Sequence, residues 1–150
     1  MTSRMPAITF LGTAALAFVA SGCFHTRKRT EDLAIPALIW SRGNGLCSRI
    51  VAVDGERTVW IDQGCETPVD LDEGRTISAA QMDDLWTKFA ALPFDQSAGD
   101  CGANMTHYFA RRAPPEPSMG AGACGGGMYD DFSTLPAAFL PLAEAMRALE

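Results

Sequence analysis

Two apolar runs joined by Asp54-Gly55, with a cysteine near each outer end, constrain the fold more than any other feature. The runs "SRIVAV" and "TVWI" are rich in β-branched residues, and Asp-Gly between such runs is a strong hairpin signal. We expect a β-hairpin over about residues 46–62. A four-residue loop from Asp54 to Arg57 would place Val53 opposite Thr58 and bring the two flanking cysteines together.

Four cysteines beyond residue 40 are available for disulfides: Cys47, Cys65, Cys101 and Cys124. They allow three connectivities. We favour pairing the first with the second and the third with the fourth, because local structure brings those ends together. In the chain-entropy model, closing loops of this size stabilises a fold by roughly 3 kcal/mol each. Such cross-links are typical of proteins that leave the cytosol.

Residues 77–92 carry the clearest helix signal. Ser78 and Gln81 have the spacing of a capping box, in which each side chain accepts a hydrogen bond from a backbone N–H of the first turn. Pro93 ends the helix. Its apolar stripe, which we expect to pack on the sheet, consists of Met82, Leu85, Phe89 and Leu92.

Further segments complete an α+β prediction. Residues 34–40 form a strand that Pro36 places at an edge of the sheet, and residues 106–112 form another. The Pro- and Gly-rich residues 113–127 form a long loop, and a final helix begins between residues 135 and 141. We therefore expect one α+β domain over residues 34–150. Its small antiparallel sheet contains the hairpin and one to three further strands, and one or two helices back it.

The first 22 residues have the order of a secretory signal peptide. Met1 to Pro6 carries one Arg, an apolar stretch of about 14 residues follows, and Ala20, Ser21 and Gly22 are small. A membrane-spanning helix needs roughly 20 apolar residues. An uncleaved anchor is therefore the alternative that the length disfavours.

Ala20-Ser21-Gly22-Cys23 resembles the lipobox of bacterial lipoproteins, although such boxes most often have Leu where this chain has Ala20. The resemblance implies cleavage before Cys23 and acylation of that residue, and two or more acyl chains hold a protein firmly on a membrane. Ordinary cleavage after Gly22 would instead give a soluble product. In lipoproteins of bacteria with two membranes, Phe24 in the second mature position implies sorting to the outer membrane.

Residues 23–33 fit a lipid-anchored tether, because residues 25–32 are polar, charged and without hydrophobic periodicity. Arg27, Lys28 and Arg29 either lie against anionic headgroups or are simply solvated. The formal charge of −6 becomes −7 once Arg4 is removed with the leader. An acidic chain argues against nucleic acid as a partner, since phosphate binding needs a basic surface.

Cys124 in its Gly-rich segment, with His107 as the base, is the sharpest catalytic candidate. A Cys–His pair can form a nucleophile, and a Gly-rich backbone can offer N–H groups to an oxyanion. The competing interpretation is that Cys124 is oxidised to Cys101, which removes the thiolate. We favour the disulfide. Because the sequence carries no other catalytic signature, we expect no enzyme and no cofactor.

Acidic residues over 70–74 and at Asp130-Asp131 have the oxygen donors that calcium prefers. The first cluster lacks the spacing of an EF-hand loop, so a solvated turn is the expected structure. A zinc site is not expected, because the chain has no C-x-x-C pair and because His25 and His107 are unsuitably spaced.

Two classes of function are consistent with these patterns. The first is a non-enzymatic envelope lipoprotein that binds or spaces another envelope protein, and the mature domain resembles small lipoproteins of the bacterial envelope. A variant is an inhibitor that presents residues 113–123 to a partner enzyme. The second class is a small secreted hydrolase that uses Cys124 and His107.

Overall fold

The computed structural model describes residues 26–45, 47–62, 64–65 and 69–150. The strands are β1 (Arg27–Lys28), β2 (Ala37–Gly43), β3 (Ser48–Val53), β4 (Thr58–Asp62), β5 (Leu71–Thr76), β6 (Thr106–Arg112) and β7 (Met119–Cys124). The helices are α1 (Ala79–Ala90) and α2 (Leu140–Arg147), and a 3₁₀ turn covers Thr30–Asp32.

All strand pairs are antiparallel, and the sheet has the order β1-β5-β4-β3-β2-β6-β7. Both helices pack on one face of it. The α+β class is confirmed. The sheet is larger than expected, because the described ranges contain seven strands rather than a hairpin with one to three more.

The predicted hairpin is present as β3 and β4, but its register differs by one residue. Val53 pairs with Val59 rather than with Thr58. The reason is Arg57, which adopts a left-handed conformation with φ of 67° and adds one residue to the turn. The four-residue loop is therefore wrong, although the position of the hairpin is right.

The buried side chain of Asp54 organises this turn. Its Oδ1 accepts hydrogen bonds from the backbone N–H groups of Glu56 and Thr58, both at 3.0 Å. Its Oδ2 accepts one from the indole Nε1–H of Trp60 at 2.9 Å. The carboxylate thus satisfies backbone donors of the turn and fixes the next strand to it.

The two disulfides have the pairing that the sequence favoured. Cys47 is joined to Cys65 with their Cα atoms 4.7 Å apart, across the open end of the hairpin. Cys101 is joined to Cys124 with a Cα separation of 5.3 Å. The second bridge fixes the segment before β6 to the end of β7.

β2 lies in the centre of the sheet, so the prediction of an edge strand is wrong. It pairs with β3 on one side and along its whole length with β6 on the other. Pro36 precedes the first paired residue, so its missing N–H removes no hydrogen bond from either ladder. The strand also continues past Trp40 to Gly43.

Two strands lie where the sequence predicted a turn and a loop. β5 replaces the expected solvated turn, and Leu71 is its one buried residue. β7 occupies much of the expected 113–127 loop, which leaves residues 113–118 as the connection from β6. Small residues allow this pairing, because a Cβ atom at Gly120 would overlap the phenol of Tyr108 on β6.

Residues 26–33 pack against the sheet. The prediction of a tether over residues 23–33 is therefore wrong for residues 26–33. β1 pairs with β5, and the Lys28 ammonium lies 4.7 Å from the centroid of the Trp60 ring. Leu33 is 4% exposed and packs in a cluster with Trp60 and Leu71. These contacts involve residues distant in the chain, which local periodicity does not reveal.

Both helices match their sequence signals. The Ser78 hydroxyl accepts from the N–H of Gln81 at 3.2 Å, and the Gln81 side chain accepts from the N–H of Ser78 at 2.9 Å. The predicted stripe of α1 is buried. α2 begins at Leu140, and Pro141 occupies its first turn, where a missing N–H is tolerated.

The two faces of the sheet differ. The helix-covered face carries the main core, in which residues such as Leu38, Trp40 and Phe109 pack against both helices. The open face carries a smaller cluster, in which Leu33 from the segment before β2 packs on residues of the strands. Its members are Leu33, Ala37, Ala52, Trp60 and Leu71. Outside that cluster Tyr108 on the open face is 47% exposed, whereas Gly122 lies against Ala98.

Candidate functional site

Strand pairing brings two polar residues together inside the helix-covered face. Arg42 of β2 lies directly opposite His107 of β6. Both residues have no exposed surface. Buried Arg and His are uncommon unless they are paired, so this position is the strongest candidate for a specialised site in the described chain.

The guanidinium of Arg42 is held on two sides. Its carbon lies 4.0 Å from the centroid of the Trp40 ring, a favourable distance for a cation–π contact. Its Nη2 donates to both carboxylate oxygens of Glu150 at 2.6 and 2.7 Å. This clamp between Arg42 and Glu150 holds the segment after α2 against β2, an interior strand of the sheet.

Asp130 lies at the outer side of this clamp, among three arginines. Its carboxylate oxygens are 3.6 Å from Arg42, 3.9 Å from Arg49 and 3.6 Å from Arg147. These distances exceed hydrogen-bond length, and the Asp130 side chain is about half exposed, so each pair contributes little. A cavity of about 480 Å³ adjoins Asp130 and is also lined by Arg49 and Tyr129.

His107 is enclosed by aromatic rings. Its ring centroid lies 5.8 Å from that of Trp40 and 5.7 Å from that of Phe132. Burial, with a smaller contribution from the charge of Arg42, lowers the pKa of His107 from 6.5 to about 4. The imidazole is therefore neutral at neutral pH, and it has no access to a solvent-borne substrate.

The hypothesis of a Cys124–His107 nucleophile is wrong for this structure. Cys124 is in a disulfide with Cys101, so it offers no thiolate. A Cβ atom at Gly125 would overlap the His107 ring, so the backbone there closes over the imidazole. The absence of a side chain at Gly125 thus permits this close packing.

Five nitrogen atoms of the buried cluster have no hydrogen-bond partner within the described ranges. They are Trp40 Nε1, Arg42 Nε, Arg42 Nη1, His107 Nδ1 and His107 Nε2. Unsatisfied buried groups lower stability. The cluster therefore keeps polar groups buried at some cost in the free energy of unfolding.

The acidic candidates for calcium do not form a ligand set. Asp72 lies on β5 and pairs with Arg27 at 3.0 Å. Hydrogen bonds from Ser133 lower the pKa of Asp131. In the part of the chain that the structure describes, no three Asp, Glu, His or Cys residues form a metal-binding group.

The predicted signal peptide over residues 1–22, the predicted acylation site Cys23, and the residues Phe24 and His25 lie outside the described residues. Among the residues that are described, no helix has the length and hydropathy needed to cross a bilayer.

Neither a protein family, nor a curated protein, nor a solved structure matches this chain significantly.

Sequence reasoning missed the contacts of Arg42 with Glu150 and Asp130. One signal could have indicated them. Arg42 follows Trp40 at the two-residue spacing of a strand, so a strand extended beyond Trp40 places a charge on the buried face. Such an inward charge calls for a partner.

Proposed function

We propose that this protein is a lipid-anchored protein of the bacterial cell envelope, acylated at Cys23, whose domain binds another envelope component without catalysing a reaction. The observation that carries the proposal is the Ala20 to Cys23 motif directly after an apolar run. Acylation would make the protein a surface-tethered one rather than a diffusing one.

The domain supports this proposal in two ways. Its two disulfides suit an oxidising compartment outside the cytosol. Cys124, the catalytic candidate, forms one of these disulfides with Cys101. The lack of a free thiol at this position favours a binding role over hydrolysis.

The proposed anchor would hold the domain close to the membrane. Three residue steps separate Cys23 from Thr26, the first described residue, and they span at most about 11 Å. β1 begins at the next residue, at an edge of the sheet. We infer that this edge is the membrane-proximal side, and that Phe24 directs the protein to the outer membrane where the source has two membranes.

Mass spectrometry of the membrane fraction tests the anchor. The expected result is an N-terminal peptide that begins at Cys23 and carries acyl mass, together with loss of both features in Cys23→Ser. Ser21→Ala is the matched control, because it keeps a small residue in the motif, and it should be processed normally. An intact leader or an unacylated start in the native protein would refute the anchor.

Thiol titration of the exported, non-reduced protein tests the absence of cysteine chemistry. We expect no free thiol at Cys101 or Cys124. A reactive thiol at Cys124 would reopen the hydrolase alternative.

A further inference from the structure

The two edges of the sheet differ in their protection against pairing with another chain. β1, at one edge, is two residues long and consists of Arg27 and Lys28. β7, at the other edge, has six residues, with no charged residue and no Pro. Short length, Lys and Pro are the usual protections of an edge strand. The N-terminal part of β7 is therefore the less protected edge, whereas residues 96–101 lie against its C-terminal part.

One residue of β7 next to Met119 has outward backbone groups that bond to no other described residue. The N–H of Gly122 donates away from β6, to the carbonyl of Gln96 at 3.4 Å. Backbone groups of alternate residues point the same way in a strand, so the N–H and C=O of Gly120 also point outward. Within the described residues, no backbone group beyond the sheet bonds to Gly120.

An apolar groove of about 540 Å³ lies beside this edge on the helix-covered side. Trp86 and Phe94 form its wall on the side of α1, and Met119, which is 45% exposed, forms its wall on β7. Arg111 is the one charged residue among those lining the groove, and it pairs with the exposed Glu116 at 3.1 Å. The groove therefore suits an apolar side chain accompanied by a carboxylate.

We propose that this edge and groove bind an extended peptide segment of a partner protein by strand addition. The segment hydrogen-bonds to the outward groups of Gly120, and alternate apolar side chains enter the groove beside Met119. An acidic side chain of the segment replaces Glu116 as the partner of Arg111.

This site deepens the proposed binding role and rests on it. β7 is six inter-strand steps from β1, which is roughly 29 Å at about 4.8 Å per step. An anchor next to β1 would leave β7 on the far side of the domain, where a partner in the envelope can reach it.

The test pans the exported protein, held in lipid nanodiscs, against a phage-displayed library of random peptides. We expect enriched peptides with apolar residues at alternate positions and one acidic residue. A synthetic copy of such a peptide should shift the amide resonance of Gly120 and the fluorescence of Trp86. The other two tryptophans, Trp40 and Trp60, are buried and should be little affected.

Two pairs of variants locate the binding. Met119→Glu and Arg111→Gln should each lower the affinity of the protein for the synthetic peptide by about tenfold or more. Met128→Glu is the matched control, since Met128 is 73% exposed and lies by a different cavity. Arg112→Gln is the second control, because the neighbouring position on β6 faces the other side of the sheet.

Three outcomes would overturn the proposal: no enrichment, enriched peptides without alternation, or binding that survives both groove variants. A dimer that sediments faster and is lost in Met119→Glu would assign the edge to a second copy of the chain and would also overturn it. The acyl mass on the Cys23 peptide is measured separately and does not depend on the result of the panning. Failure of this site is thus distinguishable from failure of the lipid anchor.

Discussion

The two faces of the sheet carry neighbouring residues of one strand into opposite environments. Phe109 of β6 is fully buried beneath the helices, whereas Tyr108 on the open face is 47% exposed. The helix-covered face carries the main core of the described residues, whereas the cluster on the open face is small and includes Leu33 from the segment before β2. Most of the buried apolar side chains therefore lie on the helix-covered face, and the open face depends on the segment that follows the proposed anchor.

Phe109→Ala should produce the largest effect, because the ring is buried and stacks on Trp40 with centroids 5.6 Å apart. We expect the free energy of unfolding to fall by about 3–5 kcal/mol. Tyr108→Ala, the matched change on the open face, should cost about 1 kcal/mol or less. Urea denaturation of the disulfide-bonded protein measures both, and equal losses would contradict the comparison.

His107 should make the helix-covered face sensitive to acid. Its pKa is about 4 in the folded protein against an ordinary value of 6.5. Between these values the unfolded chain binds a proton that the folded protein does not. The contribution is therefore fully present above pH 6.5 and is lost as the pH falls towards 4. The loss is on the order of 3 kcal/mol.

His107→Leu should remove that part of the pH dependence. The free energies of unfolding of the variant and the parent are compared above pH 6.5 and near pH 4, so that titrating carboxylates common to both cancel. An NMR titration of the imidazole supplies the direct check. A midpoint near 6.5 would show that the ring is not desolvated as the structure describes.

Leu33→Ala tests the cover of the open face. Leu33 is 4% exposed in the small cluster, and we expect a loss of about 2 kcal/mol. Ile35→Ala is the control, since Ile35 is 48% exposed, and it should change stability by about 0.5 kcal/mol or less. If both variants unfold like the parent, the segment contributes nothing to the fold.

Arg27→Gln should have the smallest effect. The ion pair with Asp72 at 3.0 Å joins two side chains that are each more than half exposed. We expect a loss of about 0.2–1 kcal/mol at low salt that disappears at high salt. A larger, salt-independent loss would mean that the edge is stabilised by something other than this pair.

The sequence predicted the features that depend on near neighbours in the chain. The capping box of Ser78 and Gln81 lies within one turn, and its geometry was confirmed. The hairpin was located by Asp54-Gly55, but its register failed because Arg57 takes a conformation that favours Gly.

The features that it missed depend on distant partners. β5 has a single buried residue, Leu71, and therefore shows no alternation. β7 consists largely of Gly and Ala, and the close approach of Gly120 to the Tyr108 ring on the next strand becomes apparent only in the structure. Arg42 and His107 are neighbours only because β2 pairs with β6, and nothing near either residue in the sequence indicates the other.

The pairing of β1 with β5 also has a mechanical consequence. Only two residues of β1 take part, and they lie at the outermost edge of the sheet. Tension applied to the chain from the N-terminal side would break the hydrogen bonds between β1 and β5 one after another. The next contact to resist would be that of buried Leu33. Release of residues 26–33 would add roughly 26–29 Å of extended chain between the proposed anchor and the rest of the domain. This segment would therefore detach before the other strands of the sheet bear the load.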